Sequence, residues 1–480
     1  MMYSPRCARQ SVRAFGGGFS RLTCHTLLAA ALALTNLPTQ AADVVWDGGG
    51  AGTGTAWRTA ANWNGDVVPG AADNAIFGSV GTVTIGTFDM GAAGGVQQVG
   101  AITFGLGRTS NLRLSTLTSS SANGVLVLNG VGGILLSNET SLLLNITNGT
   151  SGATSLLGLQ LATSGDIYVA NNGTISIGSI ITESGGAQGF TKRGPGELYL
   201  RASSANLFSG DVHLAEGDLR INGTTTLGTG TVYLDGGRIV SANTRAGAPL
   251  ENSMVVTADT IIYGDSTQAN ERILPFSGTW SGSAGTVYIG NLASVINSTF
   301  TLRLVGGGTF PRPISIGSGA DTASTFKILE VYNSITNGLQ VFNQLISGDG
   351  SVRRAGDSAS GGGMTSFTAD NTYGGGTVII YGTLLANNTT GTAFGSGSVS
   401  VTNQGIVGGA GTITTPVNIS SGGAVSPGSL STNVGTLNVS DITFGESGAY
   451  NLNVSSATGT PGTAWDLINV GSGSGNWNDT

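Results

Sequence analysis

The 480 residues hold only two histidines, His25 and His213, and two cysteines, Cys7 and Cys24. All but His213 lie before Ala42. Acid–base chemistry over the rest of the chain therefore has one imidazole to draw on. Ser-His-Asp and Cys-His catalysis need a base held by a partner, and a zinc site needs several His or Cys ligands. Neither set is present. No GGxGxD nonapeptide and no EF-hand loop points to calcium. No catalytic, cofactor-binding or metal-binding residue is assigned from the sequence, and no cofactor is expected.

Carboxylates are the other groups that could work. Asp211, Glu216 and Asp218 lie close to Arg220. Clustered acids with a basic neighbour are what a polysaccharide lyase or hydrolase would need. These three are spread across a turn and a strand, so they read as turn and surface polar residues. His213 alternates with Val212 and Leu214 and should face outward. The basic doublets Lys192-Arg193 and Arg353-Arg354 read as outward rim residues. "GGGAGTG" (Gly48–Gly54) lacks the strand, helix and lysine of a phosphate-binding loop and reads as a plain loop. Trp46, Trp57, Trp63 and Phe77 could stack a sugar, but a cap over the open end of a stacked fold is the favoured reading.

Composition limits the elements that could position these groups. Glycine supplies 81 residues, about twice ordinary usage, and charged residues only 9%. Each interior glycine costs a helix roughly 1 kcal/mol against alanine, so long helices are excluded. With 39% apolar residues the chain is not disordered.

The start of the chain predicts an export signal over residues 1–41. Arg6, Arg9, Arg13 and Arg21 precede the apolar "LLAAALAL" (Leu27–Leu34), and small residues allow cleavage after Ala41 or Ala42. Removing those four arginines leaves 15 basic against 26 acidic residues, a net of −11, without cysteine. Such a charge excludes a nucleic-acid partner, and the stability must come from something other than disulfides. No later apolar run is long enough for a transmembrane helix.

Part of the chain repeats. Laid one over the other, Asn206, Phe208, Gly210, Gly217 and Leu219 meet Asn371, Tyr373, Gly375, Gly382 and Leu384 without a gap. Upstream, Gly189, Lys192 and Arg193 align with Gly350, Arg353 and Arg354. Between the glycines the pattern has period two: Val212 and Leu214 about His213, Leu219 and Ile221 about Arg220. Gly217 and Gly382 break two runs and predict turns with positive φ. Asn148-Gly149, Asp235-Gly236 and Pro195-Gly196 predict further turns. Short strands, turn signals and an internal repeat predict a solenoid of roughly 20–25 residues per coil. Ser351–Gly363 reads as a loop-like insertion, and Leu437–Val470, including Leu452 and Val454, as packed terminal strands.

The series Gly189, Lys192, Gly194, Gly196, Leu198, Leu200, Asn206, Phe208, Gly210, Gly217, Leu219 resembles the autotransporter-associated β-strand repeat, also called the passenger-associated transport repeat. Val44–Gly78 is similar to the N-terminal tryptophan-rich segment of such exported proteins. "GGAVSPGSLSTNVGTLNVSDITF" and "TAWDLINVGSG" resemble their last coils. The resemblance implies a right-handed parallel β-helix, secreted or displayed on the surface of a Gram-negative-type cell after passage through the periplasm. The expected organisation is a signal peptide (1–41), an N-terminal capping region (42–100) and a passenger-like solenoid (101–480), with repeat copies near 189–240 and 350–407. The expected function is structural or adhesive and non-enzymatic, with a carbohydrate-active β-helix enzyme as the alternative. The partners expected are surface glycans or a host or neighbouring cell surface, and outer-membrane export machinery. Because no translocator barrel is recognisable, the sequence reads either as a fragment or as a chain exported by a separate component.

Overall fold

The computed structural model describes residues 41–477 except 53, 80–94, 106, 116–123, 138–140, 148–156, 266–270, 292–297, 318–325, 335–337, 357–361, 429–432 and 472–474. The export signal and the Asn148-Gly149 turn lie outside the described residues. Among those described there is no α-helix, only a 3-10 turn at Ala60–Asn62. No helix among them is long and apolar enough to cross a membrane.

The chain is a parallel β-solenoid. One ladder of ten strands starts at Asp43–Val45 and ends at Trp280–Gly282. A second, also of ten, runs from Leu112–Leu114 to Ile346–Gly348. A third face begins with four strands from Gly95–Val99 to Ile181–Glu183. A fifteen-stranded sheet then carries the fold from Glu271–Phe276 towards the C-terminus. Successive strands of a ladder come from successive coils, so pairing is parallel and stacks coils about 4.8 Å apart.

Period two makes this possible. In the second ladder Leu144, Ile175, Leu198, Leu219, Ile239, Ile262, Ile289 and Ile316 are Cα partners in turn, and all are fully buried. Burying one such side chain stabilises the fold by about 1.5–3 kcal/mol. An aromatic column does the same further on: Trp280, Phe310, Phe342, Phe367 and Phe394 follow each other at centroid spacings of 5.0, 5.6, 5.2 and 5.9 Å. These columns hold the coils together without disulfides.

Coil length departs from expectation. The coil that takes Leu214 to its ladder partner Leu234 is short, but the one that takes Ile134 to Ile167 is far longer. The strands that bound the long coil, Ile134–Leu136 and Gly165–Val169, are ordinary in length. Towards the C-terminus strands instead run through a corner, as in Thr377–Ala386. Gly382 makes that passage possible with φ +70, and the register shifts between Ile379 and Tyr381. Gly217 has φ +67, so both repeat glycines take the left-handed conformation read from the sequence.

Two sequence expectations fail. Ser351–Ala355, the first part of the supposed insertion, is a ladder strand because Val352 and Arg354 point inward. Residues 357–361 of that segment lie outside the described residues. At the other end Leu437, Val439, Ile442 and Phe444 are buried, but Leu452 and Val454 are 54% and 58% exposed. They lie beyond the two-residue strand Ala449–Tyr450, outside the alternation that turns side chains inward.

Candidate functional site

The repeat residues come together inside the solenoid. Lys192 occupies the column Ile134, Ile167, Lys192, Leu214, Leu234 and is fully buried. Its ammonium donates to the carbonyl oxygens of Arg193 (3.0 Å), Gly194 (2.7 Å) and Glu216 (3.0 Å). Burial lowers its pKa to about 8, against the pull of Asp218, Glu216 and Glu197. Arg354 stands in the column Val331, Arg354, Ile379, also fully buried. It donates to the carbonyls of Asn333 and Gly363, and burial lowers its pKa to about 10. Lys192 and Arg354 are thus not rim residues. Nor is Arg353 the partner of Lys192: the cation that turns inward is Arg354, because one residue of slip reverses a strand's faces.

The two glycines complete these clasps. A Cβ on Gly217 would stand 2.8 Å from the Lys192 Nζ and closer still to the Gly194 carbonyl oxygen. One on Gly382 would collide with an Arg354 guanidinium nitrogen. The repeat asparagines act alike. Asn206 Oδ1 accepts from the Ile181 amide (2.9 Å) while its Nδ2 donates to the Thr226 carbonyl (2.8 Å). Asn371 does the same with Ile346 (2.8 Å) and Ala393 (2.7 Å). Each buried asparagine ties the coil before it to the coil after it.

The outward residues behave differently. His213 is half-exposed, as read from the alternation, and stacks on Tyr233 at 4.3 Å with an interplanar angle of 4°. Its Nδ1 is 2.8 Å from Asp235 Oδ2. The candidate acids are not gathered into one centre. Asp211 Oδ1 accepts from the Thr231 amide, Glu216 Oε2 accepts from the Gly194 amide, and Asp218 pairs with Arg238. A mixed cluster that sequence reasoning missed does form on the second ladder. Arg220 pairs with Glu197 (3.5 Å) and Asp265 and stacks on Tyr199 at 4.8 Å. Burial raises the pKa of Glu197. Strand alternation could have signalled Glu197 as outward, but not its pairing with a residue of the next coil. Arg193, exposed, pairs with Asp166 at 2.9 Å. Arg353 joins Glu271 (2.6 Å) and Glu330 on the later sheet.

Trp46, Trp57 and Trp63 are buried against Phe77 and one another, with centroids 4.9 and 4.8 Å apart along the tryptophan series. Trp63 Nε1 donates to the Trp57 carbonyl at 2.7 Å. Buried in this way, the rings offer no platform to a sugar. Among the described residues no group of three or more His, Cys, Asp and Glu could hold a metal ion.

No family model matches the chain, and no solved structure matches it. A curated relative does: the adhesin BmaC autotransporter of Brucella suis biovar 1 (strain 1330), 26% identical over 411 residues. The alignment takes in 78% of this chain and 12% of that much longer protein. With a parallel solenoid built on the repeat, this similarity supports an autotransporter-passenger-like protein.

Proposed function

We propose that this is an exported, non-enzymatic solenoid that serves an adhesive or structural role at the cell surface. The observation that carries the reading is the division of labour in the repeat. Its shared inward residues pack or hydrogen-bond between coils, and its similarity is to an adhesin. Stacked coils with variable outward positions suit a surface that presents contacts to other cells. The tests are direct. The secreted product should begin at Ala42 or Asp43 on N-terminal sequencing, and beads coated with it should adhere to host or neighbouring cells more than beads coated with an inert protein. A product retained in the cytoplasm from Met1, or beads that bind no cell, would refute the reading.

A second reading, a carbohydrate-active enzyme, has one observation in its favour. Glu197, Asp218 and Asp265 lie with Arg220 and Arg238 on one face, and a carboxyl with a raised pKa is what a general acid needs. Release of reducing ends or of unsaturated sugars from polysaccharides, abolished in Glu197→Gln, would establish it.

A further inference from the structure

The two repeat copies separate what the coil requires from what it merely tolerates. Inward residues have counterparts in both. At the outward positions Asp211, His213, Glu216 and Asp218 the second copy carries Gly376, Val378, Tyr381 and Thr383. The coil folds with either set, so Asp211 and His213 are not needed to build it.

These two residues line an open groove of about 550 Å³ across the first ladder, together with Ser164, Asp166, Thr191 and Ser209. That volume is in the range of small-molecule sites. His213 stands at one end with its ring backed by Tyr233. With the Asp235 carboxylate accepting from Nδ1–H, Nε2 is the ring nitrogen left for a ligand. Among the described residues no hydrogen bond engages Nε2. Asp211 is exposed and spends Oδ1 on the Thr231 amide, leaving Oδ2. Asp166 is paired with Arg193, which leaves Asp211 as the carboxylate of the lining without a cationic partner. Hydroxyls and acceptors make up its polar surface, and Val131, Ala187 and Phe190 supply apolar surface beside them.

We propose that this groove binds a neutral pyranose unit of a surface glycan, with neighbouring sugar hydroxyls donating to Asp211 Oδ2 and His213 Nε2. A sugar hydroxyl both donates and accepts, which suits a lining of free acceptors beside Ser and Thr. A basic peptide fits less well, since of the carboxylates in the lining only Asp211 lacks a cationic partner. The site rests on the adhesive reading for its partner class.

The test uses the full exported chain and the methyl glycosides of glucose, galactose and mannose, followed by saturation transfer from protein to sugar protons. At least one glycoside should show transfer. Asp211→Asn and His213→Gln should each weaken its binding about tenfold, the worth of one hydrogen bond to a polar group, with the circular dichroism unchanged. Binding should also move the His213 Nε2 resonance. Absence of transfer to all three sugars, transfer indifferent to both substitutions, or binding of a lysine-rich peptide in their place would overturn the proposal. Adhesion of coated beads that survives both substitutions would overturn this site and leave the adhesive reading standing. Sugar binding without adhesion would do the reverse.

Discussion

The described residues of 189–221 and 350–386 build the same piece of solenoid with different surfaces. Phe208 and Tyr373 are both fully buried, as are Leu219 and Leu384. Lys192 and Arg354 both place a cation in an apolar column and surround it with carbonyls. Outside, an ion-paired and hydroxyl-rich face in the first copy becomes Val378, Tyr381, Thr383 in the second. The difference teaches that the repeat is a device for joining coils. A buried cation held by carbonyls of two coils is satisfied only in one register, and so is an asparagine spanning two coils.

The largest effect expected is at the glycines. Gly217→Val and Gly382→Val force a β-branched residue into φ near +70 and drive its Cβ into the clasp. Each should lower the local opening free energy of its coil by about 3 kcal/mol or more, measured by hydrogen exchange. If only one of the pair does so, the two copies are not the same device. Next come the asparagines. Asn206→Ala strands the Ile181 amide and Thr226 carbonyl, and Asn371→Ala strands their counterparts at Ile346 and Ala393. A cost of about 2–3 kcal/mol each is expected, with faster exchange at Ile181 and Ile346 themselves.

The copies should also differ in pH response. The folded pKa of Lys192 is lowered from 10.5 to about 8, so between these values the unfolded chain binds more protons than the folded one. Stability should therefore rise with pH in that window, by roughly 2 kcal/mol from pH 8 to pH 10. Arg354, lowered only to about 10, begins to contribute only at the top of that window. The slope is read as the difference between the wild type and Lys192→Met, which also cancels the tyrosines. An identical slope in both proteins would remove Lys192 from the account.

Period two, the break glycines and the solenoid were legible in the sequence, because alternation and positive φ are local properties. The inward cations were not. A lysine is the residue least expected inside, and matching the two basic doublets by type set Lys192 against Arg353. Strand parity, fixed only by the Val352 and Arg354 pairing with Thr377 and Ile379, sets it against Arg354. Ser351–Ala355 was hidden for the same reason, since its inward arginine looks like a solvent residue. The groove at His213 was half legible: the outward histidine followed from alternation, but Asp235 and Tyr233 reach it only through the stacking of the next coil.

The smallest effect is expected on the outside, where pairs still partly open to water, such as Asp218–Arg238, contribute on the order of 1 kcal/mol each. It also gives the most direct test of the central claim, that the repeat is an internal clasp with a free surface. The measurement is hydrogen exchange on a variant in which Asp211→Gly, His213→Val, Glu216→Tyr and Asp218→Thr give the first copy the outward residues of the second. Its coil should open with a free energy within about 2 kcal/mol of wild type, a smaller loss than Gly217→Val alone. A variant that opens more easily than Gly217→Val would contradict the account, because the surface would then be holding the coil.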